Sequence, residues 1–241
     1  AGDRVGMMAL NSDRYLEYYL GAWWAGCVVN PVNVRWSAAE VAYSLDDCDT
    51  TVLIVDDNFV PMVAELRKRS TALRTVIHLG AGAAPEGMLS FEQLVAQADP
   101  IEDAMRSGND LAGVFYTGGT TGFPKGVMLS HTNLASNALT DVADGLVAPG
   151  GTALMVAPMF HLAATALLLC NMVVGSRLVF LPAFTPQGVL GAIQDERVTS
   201  ALLVPTMIQM VVDHPSLKDH DTSSLANVAY GASPISEGVM N

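Results

Sequence analysis

Short apolar, β-branched runs alternate with amphipathic segments along almost the whole chain, and this alternation limits the fold more than any other feature. Residues 5–10, 51–55, 75–79, 111–117, 127–129, 153–156, 178–181, 200–204 and 228–230 read as strands. Residues 13–27, 37–47, 130–146, 162–174 and 185–196, with further stretches before Ser70, from Ser90 and after Pro205, read as helices. Strands separated by helices are joined as parallel crossovers, because a tight hairpin can join only antiparallel neighbours. The expected fold class is therefore α/β, with parallel-sheet subdomains and helices packed on their faces. In such sheets ligands bind at loops beyond the carboxyl ends of strands, which directs attention to the loops after Thr117, Val156 and Tyr230.

Local signals sharpen the element ends. Ser37-Ala-Ala-Glu40 and Ser90-Phe-Glu-Gln93 have the spacing of capping boxes, and Ser130 is placed to cap the helix that follows it. Thr185-Pro186 and Ser233-Pro234 each pair a capping residue with proline at the first helical position. Tyr15, Tyr18, Tyr19 and Trp23 fall at helical spacing and read as a core stripe. The polar connector 99–110 suggests a boundary between a first subdomain, residues 1–110, and a second, residues 111–241.

Hydrophobic residues make up 51% of the 241 positions and charged residues 15%, so the chain can bury a core and does not read as disordered. A net charge of -12 argues against general binding of nucleic acid, which needs clustered Lys and Arg. Cys27, Cys48 and Cys170 form no CxxC pair and read as free thiols, consistent with a cytoplasmic setting. Residues 154–175 are uncharged and long enough to span a bilayer. Pro158, His161, Thr165 and Asn171 interrupt them and no Lys/Arg cluster flanks them, so a strand, a turn and a buried helix are expected. Asp46-Asp47 and Asp56-Asp57 invite a metal reading, but paired acids near helix ends are more often solvated faces or caps.

The densest chemistry lies in Tyr116-Thr-Gly-Gly-Thr-Thr-Gly-Phe-Pro-Lys-Gly126. Eleven residues after a strand hold four glycines, three threonines and one of only three lysines. Glycines let backbone N–H groups approach an anion, threonine hydroxyls donate to phosphate oxygens or bind a metal, and lysine adds a mobile positive charge. The pattern is neither a Walker loop, since Lys125 follows Pro124, nor a dinucleotide fingerprint, since no GxGxxG occurs. It reads as a loop for phosphate.

This loop resembles the most specific motif of the acyl-adenylate-forming superfamily of AMP-dependent synthetases and ligases, whose members include acyl-CoA synthetases, peptide-synthetase adenylation domains and luciferases. It matches throughout, with Gly118 where many members carry Ser. Pro158-Met-Phe-His161 is similar to a second family motif, whose His lies near the acyl and pantetheine sites. Tyr230-Gly-Ala-Ser-Pro234 is similar to a third, which packs on adenine. The resemblance implies part of the large N-terminal domain of an acyl-CoA synthetase. ATP phosphates would be engaged by Thr117, Gly118, Gly119, Thr120, Thr121, Gly122 and Lys125, with Thr121 also at the metal. Gly231, Ala232, Ser233 and Pro234 would hold the nucleotide, and His161 would act near the reacting acid.

The implied reaction converts a carboxylic acid, a fatty acid in the first instance, to acyl-AMP using ATP and Mg²⁺, and then to a thioester with CoA. Family parts that would follow Asn241 include a Gly-x-Thr-Glu motif, a ribose-binding Asp and a small catalytic-lysine domain, so the chain alone is expected to be inactive. An amino-acid or aryl-acid adenylation domain, or a non-catalytic nucleotide-binding protein, remains the alternative. The helix 162–174 is uncharged, and Ala163, Ala164, Thr165 and Leu167 suit either an apolar acyl group or an ordinary core.

Overall fold

A computed structural model of the chain describes residues 2–118 and 122–231. It divides into two compact units, Ala1–Leu134 and Ala135–Asn241.

The first unit is built on a seven-stranded sheet of order β5-β4-β3-β1-β2-β6-β7. Its strands are β1 (Arg4–Met8), β2 (Val28–Pro31), β3 (Thr50–Val55), β4 (Thr75–His78), β5 (Leu89–Ser90), β6 (Leu111–Thr117) and β7 (Lys125–Ser130). Every pairing is parallel except β6 with β7. The helices are α1 (Asp13–Trp24), α2 (Ala38–Asp47), α3 (Val60–Arg69) and α4 (Phe91–Gln97). Central strand β1 is apolar after Arg4 and its Met7 and Met8 are fully buried, as expected of a parallel strand covered on both faces. Val41, Ala42 and Leu45 of α2 and Val63 and Leu66 of α3 close over Met8, Leu53, Val55 and Val76.

The aromatic stripe of α1 behaves as its spacing predicts. Tyr15, Tyr18 and Tyr19 are buried. The Tyr18 hydroxyl donates to the Val5 carbonyl at 2.7 Å and accepts from the Asn30 amide at 3.0 Å, so one side chain bridges β1 and β2. The Trp23 indole donates to the Ala112 carbonyl at 2.9 Å and anchors α1 on β6.

The second unit carries a four-stranded parallel sheet of order β11-β10-β8-β9. Its strands are β8 (Thr152–Met155), β9 (Arg177–Phe180), β10 (Ser200–Leu202) and β11 (Asn227–Ala229). Helix α5 (His131–Ala143) contains the division between the units. It is followed by α6 (Leu162–Val173), α7 (Pro186–Glu196) and α8 (Pro205–Val212). Leu154, Val156, Val189, Leu190, Ile193, Leu203 and Val211 form its core. The uncharged segment 154–175 resolves into β8's end, a turn and α6, and no helix among the described residues is long and apolar enough to cross a membrane.

The division differs from the boundary expected at the polar connector 99–110. Strand β6 pairs with β2 at Gly113 and Val29, so β6 and β7 complete the first sheet instead of opening a second subdomain. The connector is tied to the end of α1: its Ala104 amide donates to the Trp24 carbonyl at 2.9 Å and its Ile101 carbonyl accepts from the Trp24 indole at 2.9 Å.

The three cysteines are free, and burial pushes each thiol above its ordinary value, Cys170 to about 11. The paired acids organise backbone. Asp46 accepts from the Ser70 hydroxyl at 2.5 Å and from the amides of Thr71 and Ala72 at 3.0 and 2.9 Å, tying α2 to the turn after α3. Asp56 accepts from the amides of Leu10 and Asn58 at 2.7 and 2.9 Å, and Asp57 meets His78 Nε2 at 2.7 Å. Among the described residues no group of three or more His, Cys, Asp or Glu converges as a metal site.

Two stability predictions follow from this packing. Partial burial works against ionisation of Asp46, but the hydrogen bonds from Ser70, Ala72 and Thr71 outweigh it and hold the carboxyl below its ordinary 3.8. Asp46→Ala should cost about 1–3 kcal/mol near neutral pH in denaturant unfolding, as loss of a charge-assisted network does. Because the folded-state pKa is the lower one, the part of that difference linked to ionisation should be full above the unfolded pKa and be lost as pH falls through the folded value. Gly126 sits opposite Tyr116 in the β6–β7 ladder, and a Cβ there would lie 2.7 Å from Val114 Cγ1 and 3.0 Å from Tyr116 Cζ. Gly126→Ala should lower stability by about 1–3 kcal/mol through overpacking. Gly118→Ser, whose Cβ would have nothing within 4 Å, should leave the unfolding midpoint near that of the parent.

Candidate active site

Strand β6 carries the apolar run Ala112 to Tyr116 through the interior and reaches solvent at Thr117 and Gly118. The chain re-enters at Gly122 and Phe123, turns inward at buried Pro124, and returns as β7 from Lys125. Thr117 and Lys125 are cross-strand partners, so the ladder itself holds them at opposite sides of the loop's mouth. Both are exposed. Gly122 has φ +144°, a backbone conformation that L side chains rarely adopt, which accounts for glycine at that place in the motif. Gly118 has open space where a Cβ would stand, so serine and glycine fit equally well there.

Gly119, Thr120 and Thr121 lie outside the described residues, as do Ala232, Ser233 and Pro234. Four of the residues expected to meet phosphate, Thr117, Gly118, Gly122 and Lys125, are thus brought together on one hairpin at the carboxyl end of β6. Among the described residues no carboxylate forms an ion pair with Lys125.

The other expected site residues belong to the second unit. His161 follows the carboxyl end of β8, is the residue before the first turn of α6, and is exposed, with its ring 4.3 Å from that of Phe160. Gly231 follows the carboxyl end of β11 and is exposed. Strands β8 and β11 flank β10 in one parallel sheet, so both residues leave that sheet at the same edge. Of the four helix residues weighed as an acyl wall, Ala164, Thr165 and Leu167 are buried in the second unit and Ala163 is exposed.

Sequence reasoning gave Tyr116 no role beyond opening the motif, weighed Asp47 only with Asp46 as a metal or cap candidate, and did not name Trp36. The Tyr116 hydroxyl donates to Asp47 at 2.7 Å, and the edge of its ring meets Trp36 with centroids 6.2 Å apart. Burial, followed by the hydrogen bond to Asp47, holds the Tyr116 phenol far above its ordinary range, so it stays protonated and keeps donating. The usable signal was the glycine paired with it: Gly126 lacks the Cβ that would strike the Tyr116 ring. A separate apolar cavity of ≈ 520 Å³ opens on the first sheet beside α1 and α4, lined by Val5, Tyr18, Ile54, Ile77, Phe91 and Cys27 among others, and includes no residue of the glycine-rich loop.

Known proteins resemble this chain in sequence and fold. The model of the AMP-binding enzyme family matches residues 1–241. The chain is 34% identical over 235 residues to a feruloyl-CoA synthase from an Amycolatopsis species, covering 97% of this chain and 45% of that protein. It is 34% identical over 238 residues to a long-chain-fatty-acid–CoA ligase from Thermus thermophilus, covering 96% and 43%. The inhibitor-bound N-terminal domain of FACL13 from Mycobacterium tuberculosis superposes with a TM-score of 0.90 at 27% identity, over 99% of this chain and 58% of that one. The chain spans about half the length of the curated relatives it matches. With a family model matched from end to end, the chain belongs to the AMP-binding enzyme family.

Proposed function

We propose that the protein to which this chain belongs activates a carboxylic acid as its acyl-adenylate with release of pyrophosphate, and then transfers the acyl group to the thiol of CoA. The observation that carries the reading is the pairing of exposed Thr117 and Lys125 across the mouth of a glycine-rich loop, in a chain of the AMP-binding enzyme family. The substrates are MgATP, the acid and CoA. Thr117 offers a hydroxyl and Lys125 an ammonium group to phosphate oxygens, and the backbone at Gly118 and Gly122 is open to an anion. Thr120 and Thr121 would add hydroxyls, Thr121 toward the magnesium of MgATP, and Gly231 to Pro234 would meet the nucleotide's base. His161 would stand near the acyl group.

In the first step a carboxylate oxygen attacks the α-phosphorus, forming the mixed anhydride while the bond to the β-phosphate oxygen breaks. The carboxylate is already ionised at neutral pH, since such groups titrate near pKa ~4, and no general base is required. The protein's task is to align the phosphates and stabilise the charge that moves onto pyrophosphate, which suits a lysine and hydroxyls on a rigid ladder. In the second step the thiol sulfur attacks the acyl carbon and AMP leaves.

The relatives divide over the acid. The Thermus thermophilus relative is named for long-chain fatty acids and the Amycolatopsis relative for the feruloyl group, so a fatty acid is the first reading and an aryl acid the second. Acid-dependent ATP–pyrophosphate exchange by the full-length protein, run against fatty, aryl and amino acids, decides between them. Exchange should appear with one acid class and should fall about 10- to 100-fold in Lys125→Ala, the loss expected for one charge-assisted contact. ATP binding with no exchange for any acid would favour a non-catalytic nucleotide-binding protein.

A further inference from the structure

Helix α2 presents Glu40, Tyr43 and Asp47 at spacings of three and four, which places them along one side of the helix. That side meets the glycine-rich hairpin at two places. On the outgoing strand, Asp47 accepts the Tyr116 hydroxyl at 2.7 Å, and Trp36, just ahead of the α2 cap, holds the same ring edge-on. On the returning limb, the Phe123 ring stacks on Tyr43 with centroids 4.8 Å apart and an interplanar angle of 25°. The Tyr43 hydroxyl leans on Asp47 at 3.4 Å, so the two attachments share one carboxylate.

The Phe123 contact has no role in burying a core. Its side chain is 70% exposed, and a cavity of ≈ 290 Å³ lined by Glu40, Gly122, Phe123 and Pro124 opens beside it. Stacked rings resist sliding and tilting while burying little area, so they can restrain a loop that must remain open to a ligand.

We propose that Tyr43 and Asp47 are positioning residues for the phosphate loop. Phe123 on Tyr43 and Tyr116 on Asp47 clasp its two limbs to α2, and this steadies the hairpin on which the ladder pairs Thr117 with Lys125. The inference rests on the phosphate-loop reading proposed above, and the test separates the two.

The experiment is hydrogen exchange of the peptide spanning residues 117–126 in the full-length protein, with and without ATP, alongside KM and kcat for ATP and for the acid in pyrophosphate exchange. Tyr43→Ala, which also trims packing against the Val28, Cys48, Val114 and Tyr116 cluster, should lower the global unfolding midpoint and, under conditions where the protein stays folded, speed exchange of the ATP-free loop peptide. It should raise KM for ATP about two- to tenfold, the worth of one stacked aromatic pair, with KM for the acid unchanged. Tyr43→Phe, which keeps the ring, should restore both. Phe123→Ser should reproduce the effect from the exposed side of the stack, where folding is not at stake, and combining it with Tyr43→Ala should add little further. Unchanged loop exchange in both Tyr43→Ala and Phe123→Ser, or failure of Tyr43→Phe to restore it, would overturn the clasp. Parent protein whose loop exchange ignores saturating ATP would instead sink the phosphate-loop reading, because that comparison involves no variant.

Discussion

Parallel pairing is the constraint on which both units depend. A strand that runs parallel to its neighbour cannot return by a tight turn, so the chain must cross over a face of the sheet before each new strand. The crossovers α1, α2 and α3 supply the two covering layers that β1 and β3 need, and their apolar faces are what bury Met7, Met8, Leu53 and Val55. The same rule sends every strand's carboxyl end to one edge. At β6 the rule is broken: β7 pairs antiparallel, so the chain turns back at once and leaves its loop standing at that edge with no helix to carry it away. A loop held only by a two-stranded ladder needs other restraint, which Pro124, Gly126 and the contacts to α2 provide.

What could be read in the sequence is what depends on neighbours within a turn or two. Ser37 and Glu40 form the reciprocal capping box that their spacing predicts. Ser90 and Thr185 accept from the amides three residues on, and Ser130 exchanges hydrogen bonds with Asn133. The glycine-rich motif and the strand ahead of it were legible for the same reason, since the chemistry is written in consecutive residues. Strand β2 was not assigned, because four residues ending in proline carry no period; only pairing with β1 and β6 on either side makes them a strand. Strand β5, two residues long, exists only through its pairing with β4. The placement of β6 in the first sheet was hidden likewise, because a polar connector looks the same whether it ends a subdomain or merely delays a strand.

The paired acids show how one signal supports two readings until distances choose. Asp46 and Asp56 each spend their oxygens on two or more backbone amides, and Asp57 turns to His78. A carboxylate so occupied has no lone pairs directed to a common point, which is what a cation site needs. Asp47 is used differently. Its oxygens take two tyrosine hydroxyls, and so it contributes to the hairpin by accepting hydrogen bonds from neutral groups.

That choice of partners bears on how, under the proposed reading, a chain with a net charge of -12 would meet phosphate. Charges more than a Debye length away, about 8 Å at physiological salt, are largely screened, so the total matters less than the few groups at the loop. There the first sheet presents one lysine, and among the described residues no carboxylate is paired with it. Had α2 held the loop through an ion pair to Lys125, the cation would be neutralised before any anion arrived, and binding phosphate would require breaking the restraint. Holding the limbs by a ring stack and a tyrosine hydroxyl separates restraint from recognition. The loop can be kept in place by α2 while Lys125 and Thr117 stay exposed toward solvent.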